Sequence, residues 1–371
     1  MIGAEQHLPY DRPPLSKDFI FGSKTFDQIQ LASESMLRDL DVRLRLGCRA
    51  VSLDLSRREI ASADGDLFGF DALVIATGAE PRVMPGSEHL GGIYVLRSVD
   101  HAAKLRAAIA EKGRIVVVGG GFIGAELAAG LAQQGTDFTL VEPEATLMHR
   151  SLGAELGRIM TSFHRSKGVK ILTKTAVAGF EGSDHVRAVH LSDGRILAAD
   201  IVILAIGCVV TTQWLSSSGL PIDNGVVCDE FLSVKGTEQI YAVGDVARWH
   251  HPVYKRSIRV EHWTNATEQA SIVAANLCGE RIQASQLPYV WSDQFGLRLQ
   301  ISGFIDNDGR LEITKLDDEG RFVAIASSAD RLDAVVAFGS PRHFIALRKM
   351  LAEGRPLREA SLYLQQVKPR A

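Results

Sequence analysis

The sequence predicts an α/β fold of two dinucleotide-binding (Rossmann-like) modules followed by a C-terminal α+β domain, and three observations predict it. The stretch 114–142, RIVVVGGGFIGAELAAGLAQQGTDFTLVE, carries an apolar strand into a glycine turn, a helix, and a second strand ending on an acid. The segments FDALVIATG (70–78) and ADIVILAIG (199–207) read as one element used twice. From about Pro288 the pattern changes to alternating strands and Gly-centred turns, closed by a helix.

The chain opens with MIGAEQHLPYDRPPLSKDF, a short apolar start, then Glu5, then a proline-rich loop carrying Arg12 and Lys17. Pro9, Pro13 and Pro14 fix φ and remove backbone donors, so on its residues alone this loop reads as a connector. A helix is expected over Thr25–Asp39, with strands near Val42–Leu46, Ala50–Leu53 and Glu59–Ile60. A buried strand is expected in Asp71–Gly78, running into a glycine turn.

The module that follows holds the fingerprint in its required context of strand, turn, helix and strand. Gly119 permits the tight turn, Gly121 lets the backbone approach a pyrophosphate, and Gly124 lets helix and strand pack closely. Phe122 and Ile123 open the helix, whose free N–H groups and positive dipole end suit phosphates. Glu142, 23 residues after Gly119, can accept hydrogen bonds from adenosine ribose hydroxyls. The repeat strengthens the case, because Asp64-Gly65, Asp71 and Gly78 keep the seven-residue spacing of Asp193-Gly194, Asp200 and Gly207. One module lies before residue 105 and the other spans about 113–227. If Glu5 is the counterpart of Glu142, the glycine turn of the first module would lie ahead of residue 1. The first strand, phosphate loop and helix of that module are then expected to be absent from these residues.

Farther on, Gln239–Asp245 is an apolar strand ending in Gly-Asp, and a helix is expected over Ala266–Leu277. An acid at that position can bind a polyol hydroxyl or cap a helix. The last part offers strands at Leu297–Phe304, Leu311–Lys315 and Phe322–Ser328, a turn at Asn307-Asp308-Gly309 and a helix over Pro341–Glu353. The domain division expected is 1–104 with 228–287, then 105–227, then 288–371.

Bulk properties exclude several classes. A net charge of −3 over 371 residues gives no basic field for nucleic acid. The four cysteines contain no CxxC, which argues against a metal site or a redox dithiol and fits a reducing cytoplasm. No apolar run reaches the roughly 18 residues of a membrane span, and no signal peptide or HExxH is visible.

The stretches LPYDRPPLSK (8–17), ATGAEPR (76–82), LRSVD (96–100), GGGFIGAE (119–126), YAVGD (241–245), RVEHWTNA (259–266) and YVWSDQ (289–294) together resemble the flavoproteins with two dinucleotide domains of the glutathione-reductase type. More closely, they resemble the putidaredoxin reductase-like NADH:ferredoxin reductases of bacterial ring-hydroxylating dioxygenase and cytochrome monooxygenase systems. The resemblance implies FAD and NAD as cofactors and a two-iron two-sulfur ferredoxin as electron acceptor. It places Arg12, Lys17 and Arg97 beside FAD, with Glu5 and Val51 also in the flavin site. Asp245 would hold the flavin's ribitol or pyrophosphate, and Trp263 would sit near its ring. Glu126 would meet the nicotinamide carboxamide and pair with Lys17, while Gly207 would line the NAD site. Lys17, Glu126 and Trp263 form the implied catalytic group. Glu142 would favour NADH, because a carboxylate repels a 2′-phosphate.

Two departures accompany this likeness. The family's Gly-x-x-Pro reads Gly207-Cys-Val-Val210, and the first fingerprint is not found. Poor FAD retention is therefore expected of the 371 residues. An NADH oxidase or other flavin reductase, and an NAD-binding module without flavin, fit the same motifs.

Overall fold

Four consecutive β-branched residues, Ile115–Val118, form a strand buried at every position in the computed structural model, which describes residues 1–305 and 309–367. Burial at every position is what a strand covered on both faces requires. It is the middle strand of a five-stranded parallel sheet in the order Ile93–Val95, Ile201–Leu204, Ile115–Val118, Phe138–Glu142, Lys170–Thr173. The helix predicted after the glycine turn runs Phe122–Gln133, and Gly135 leaves it with φ +68°. A second helix, His149–Ser166, carries a non-helical Gly153 near its start. An antiparallel meander, Val177–Gly182, Val186–Leu191 and Ile196–Ala198, follows the last of these crossovers.

Contacts divide the chain into two compact units. One comprises Met1–Pro14, Lys24–Glu80 and Cys208–Gln286; the other comprises Leu15–Ser23, Pro81–Gly207 and the residues from Leu287 onward. The nucleotide sheet thus draws one strand, Ile93–Val95, from before residue 105.

The C-terminal part of the second unit is an antiparallel sheet in the order Tyr289–Gln294, Leu297–Gly303, Arg331–Phe338, Phe322–Ser328, Arg310–Lys315. Two helices, Pro341–Ala352 and Leu357–Gln366, cover it. Phe344, Leu347 and Leu351 recur at helical spacing and bury against Val323, Ile325 and Val335. The expected turn at 307–309 lies outside the described residues at its first two positions.

The first unit contains the antiparallel strands Ala50–Asp54, Glu59–Ser62 and Leu67–Gly69. It also holds a parallel pair, Leu73–Ile75 with Ile240–Ala242, and a sheet of Val226–Cys228, Ala247–His251 and Arg256–Ile258. Four expectations need correction here. The helix at Thr25–Asp39 is a short turn at Asp27–Ile29 and then a helix over Glu34–Asp39. Between them, Tyr10 bridges Gln30 and Leu31 donates to the Pro9 carbonyl, while Ser33 caps the helix by accepting from the Met36 N–H. Val42–Leu46 forms no strand, only a parallel bridge from Arg45 to Ile2. The strand at Leu73–Ile75 is not fully buried: Val74 is 39% exposed, whereas its counterpart Ile201–Leu204 is buried throughout. The difference follows from pairing, since Ile201–Leu204 has a neighbour on each side and Leu73–Ile75 pairs only with Ile240–Ala242 among the described residues. The last helix of this unit starts at Trp263, three residues earlier than expected.

Asp200, one of the repeated acids, fastens the starts of two central strands. It accepts from the Arg114 backbone N–H and Nε, both at 2.8 Å, and from Arg114 Nη2 at 2.7 Å. The Arg114 side chain and then its backbone N–H hold the Asp200 carboxyl at about 2, below its ordinary 3.8. A depressed carboxyl contributes stability that is fully present above 3.8 and is lost as the pH falls through about 2. Asp200→Asn should therefore flatten the decline of urea midpoints in that window. An unchanged slope would assign the decline to other carboxylates.

Candidate functional site

The three fingerprint glycines are needed for different reasons. Gly119 has φ +98°, and a Cβ there would fall on the Ala205 carbonyl. A Cβ on Gly124 would fall on the Gly119 carbonyl, so the helix could not lie on the turn. Gly121 has no heavy atom within 4 Å of a Cβ position, and its bare face opens at the helix N-terminus. Those two facts fit a phosphate that approaches the backbone from outside the protein's own packing. Phe122 is half-buried and Ile123 is 41% exposed, both in the first turn, where backbone N–H groups have no intrahelical acceptor.

Glu142 ends the second strand only 7% exposed. Its Oε2 accepts from the Gly120 N–H at 2.5 Å, and its Oε1 from the Glu144 N–H at 2.8 Å. The acid therefore braces the glycine turn, and a carboxylate's remaining lone pairs stay free for hydroxyl donors.

Four residues along the helix from the first turn lies Glu126, 6% exposed. Lys17 Nζ is 3.0 Å from its Oε1, Ser292 Oγ donates to the same oxygen at 2.7 Å, and Ser16 Oγ donates to Oε2. The proline-rich loop that reads as a connector delivers two of these donors. Pro13–Ser16 forms a 3-10 turn that ends beside Lys17. The Phe21 ring occupies the space where a Cβ on Gly130 would stand, pinning the segment to the same helix. Lys17 and Glu126, far apart in sequence, are brought together as expected from the resemblance. Ser16, Ser292 and Gln294 lie in two of the motif stretches, but no spacing rule in the sequence gives them a role beside Glu126, because the contact joins distant segments.

Gly207 has φ +90°, and its carbonyl accepts from the Arg82 N–H at 2.9 Å. Arg97 is half-buried, between the strand Ile93–Val95 and a helix capped by Ser98. Both belong to the second unit.

In the first unit, Glu5 accepts from Tyr10 Oη and from Arg12 Nη2, and the Arg12 guanidinium lies 5.1 Å from the Tyr10 ring centroid. Burial pushes the Glu5 carboxyl up, but hydrogen bonds from Tyr10 and Arg12, with the Arg12 charge, outweigh it and hold it below the usual range. Val51 is 44% exposed on the strand Ala50–Asp54. Asp245 sits buried in the turn Gly244–Val246. Trp263, half-buried, is the first residue of that helix.

Around Asp245, Arg259 Nη1 donates to the Asp245 carbonyl at 3.1 Å, and Gln269 Oε1 accepts from the Gly244 N–H at 2.7 Å. Arg259 Nε and Gln269 Nε2 are buried without a hydrogen-bond partner among the described residues. Unsatisfied buried donors are uncommon, and two at one turn fit an anionic, hydroxyl-bearing group such as the ribityl phosphate of FAD. The residues present therefore fit both cofactors. Asp245, Arg259 and Gln269 would hold FAD, and the fingerprint turn with Glu142 would hold NAD.

Comparison with known proteins gives the family. Residues 1–270 match the family model for pyridine nucleotide-disulphide oxidoreductases, and residues 289–369 match the model described as reductase C-terminal. The chain is 36% identical over 365 residues to the benzene 1,2-dioxygenase system ferredoxin–NAD(+) reductase subunit of Pseudomonas putida, covering 97% of this chain and 87% of the relative. It is 32% identical to rhodocoxin reductase of Rhodococcus erythropolis, covering 96% and 84%. Among solved structures, the covalent putidaredoxin reductase–putidaredoxin complex matches with a TM-score of 0.92 at 31% identity, covering 99% of this chain and 90% of that one. No helix among the described residues is long and apolar enough to cross a membrane. The chain belongs to the pyridine nucleotide-disulphide oxidoreductase family, in the ferredoxin reductase group that carries a reductase C-terminal domain.

Proposed function

We propose that this protein passes electrons from NADH, through FAD, to a two-iron two-sulfur ferredoxin. The observation that carries the reading is the ion pair between Lys17 of the proline-rich loop and the buried Glu126, which lies on the helix whose N-terminus forms the dinucleotide turn. Bound FAD would supply the conversion of a hydride from NADH into single electrons for the acceptor. The chain's own residues then have simpler tasks. Glu126 accepts from the carboxamide N–H of the nicotinamide and so sets the ring's angle. Lys17 supplies fixed positive charge beside it, in surroundings that exclude most water. Gly121 and the first-turn N–H groups take the pyrophosphate, and Gly207 leaves the backbone open beside the nicotinamide. Glu5, Arg12, Val51, Asp245 and Trp263 are assigned to FAD, as is Arg97.

The ferredoxin assignment draws on relatives that serve a benzene dioxygenase system and on a neighbour solved with putidaredoxin. Four cysteines with no disulfide among the described residues support a cytoplasmic setting. With FAD supplied, anaerobic addition of NADH should bleach the flavin absorbance; an unbleached spectrum would contradict the reading.

The choice of NADH rests on Glu142. Glu142→Ala removes the acceptor for the ribose hydroxyls and the brace on the Gly120 N–H. Hydrogen bonds to a charged group are worth enough that NADH affinity should fall about 10- to 100-fold. NADPH affinity should hold or improve, since the repelling charge is gone. Calorimetric titration with both nucleotides reads this directly. An unchanged ratio would remove Glu142 from the ribose site.

A further inference from the structure

Behind Glu126 the second unit contains a buried row of neutral polar side chains to which the resemblance assigns no role. Ser292 Oγ donates to Glu126 at 2.7 Å and itself accepts from Gln294 Nε2 at 3.0 Å. The Gln294 carbonyl oxygen lies 2.8 Å from His164 Nε2. Ser292, Gln294 and His164 are 0%, 1% and 0% exposed, so bulk solvent does not reach them. Each link has only one workable polarity. The Gln294 amide nitrogen donates to Ser292, so its oxygen faces the histidine and needs a donor there. Ser292, already accepting from that amide, turns its own proton toward the carboxylate.

We infer that Ser292, Gln294 and His164 form a one-way chain of hydrogen-bond donors that fixes the Glu126 carboxylate in one orientation. The strand Tyr289–Gln294 of the C-terminal domain thereby becomes a positioning element of the nucleotide site. The histidine suits the end of such a chain. Phe163 and Phe295 contact its ring edge-on at 6.0 and 5.1 Å, and its Nδ1 has no partner among the described residues. Burial lowers its pKa to about 4, partly offset by the hydrogen bond to Gln294, so it stays neutral near pH 7. A neutral donor at the far end orients the row without setting a second cation against Lys17. Lys17 from the proline loop, Ser16 beside it and Ser292 from the C-terminal strand are the groups that face the carboxylate. The positioning role of Ser292, Gln294 and His164 rests on the reading of Glu126 as the nicotinamide contact.

Two measurements test the chain. Nitrogen-15 NMR of the nucleotide-free protein should show His164 as the Nε2–H tautomer at neutral pH; the Nδ1–H tautomer would reverse the polarity and overturn the inference. In stopped-flow with FAD and NADH, Ser292→Ala should slow the NADH-driven step about ten-fold, with NADH affinity held within about two-fold. Ser292→Thr should restore the rate. Gln294→Met, which keeps volume and leaves Ser292 in place, should give a smaller loss, absent in the Ser292→Ala background because both act through one oxygen. Full-rate Ser292→Ala or Gln294→Met, beside a slowed Glu126→Gln, would overturn the chain. A Glu126→Gln variant at full rate would instead overturn the reading of Glu126, leaving the tautomer measurement to decide the chain.

Discussion

Glu126→Gln should reduce the NADH-driven step about 100-fold, a loss typical for removing one preorganised polar group from a reacting site. The carboxylate serves three donors at once: the Lys17 ammonium and the hydroxyls of Ser16 and Ser292. An amide can accept at one end only. Its NH2 group must then face a hydroxyl or the ammonium, and Lys17, 17% exposed at its side chain, keeps a charge with no counterion on Glu126. Lys17→Met produces the converse defect, a carboxylate buried without its cation. The pair sets orientation and local charge and does not supply most of the nucleotide's binding area. NADH affinity in both variants should therefore stay within about ten-fold of the parent. Stopped-flow separates rate from affinity, and two variants that react at the parental rate would remove the pair from the site.

The second large effect contrasts two glycines three positions apart. Gly124→Ala puts a methyl group on the Gly119 carbonyl, a collision of backbone with side chain that no rotamer relieves. Overpacking of this kind costs about 3 kcal/mol, and this one displaces the helix that completes the nucleotide site. Gly121→Ala meets no protein atom within 4 Å, and its φ of −71° suits any residue. Its stability should change by less than about 1 kcal/mol. NADH affinity should nevertheless fall about 100-fold, because the methyl group stands where the pyrophosphate approaches. Urea unfolding and nucleotide titration on the two variants read both quantities. A Gly121→Ala protein that binds NADH normally would show that the phosphates lie elsewhere.

The fingerprint module was legible almost residue by residue. The run of β-branched residues at 115–118, the glycines and Glu142 each announce a local constraint, and local constraints are written in neighbouring residues. The helix over 122–133 and the strand at 322–328 followed from periodicity in the same way. What escaped depended on distance. The helix expected across 25–39 gave way because Pro9 and Tyr10 offer backbone partners to residues 30 and 31, a contact invisible to helical spacing. The repeated strand at 73–75 matches its counterpart in sequence, yet its burial depends on what pairs with it. The site divides likewise. Lys17 and Glu126 came from motif resemblance, while Ser16, Ser292, Gln294 and His164 are joined by tertiary packing alone.

Reduction of a purified two-iron two-sulfur ferredoxin by NADH, followed anaerobically at the iron–sulfur absorbance, tests the central claim most directly. With FAD supplied, this protein should reduce about two ferredoxins per NADH, since the nicotinamide gives up an electron pair and each cluster takes one electron. The rate should saturate with ferredoxin and collapse in Glu126→Gln. Clusters that stay oxidised while NADH is consumed, with oxygen uptake indifferent to ferredoxin when air is admitted, would contradict the account.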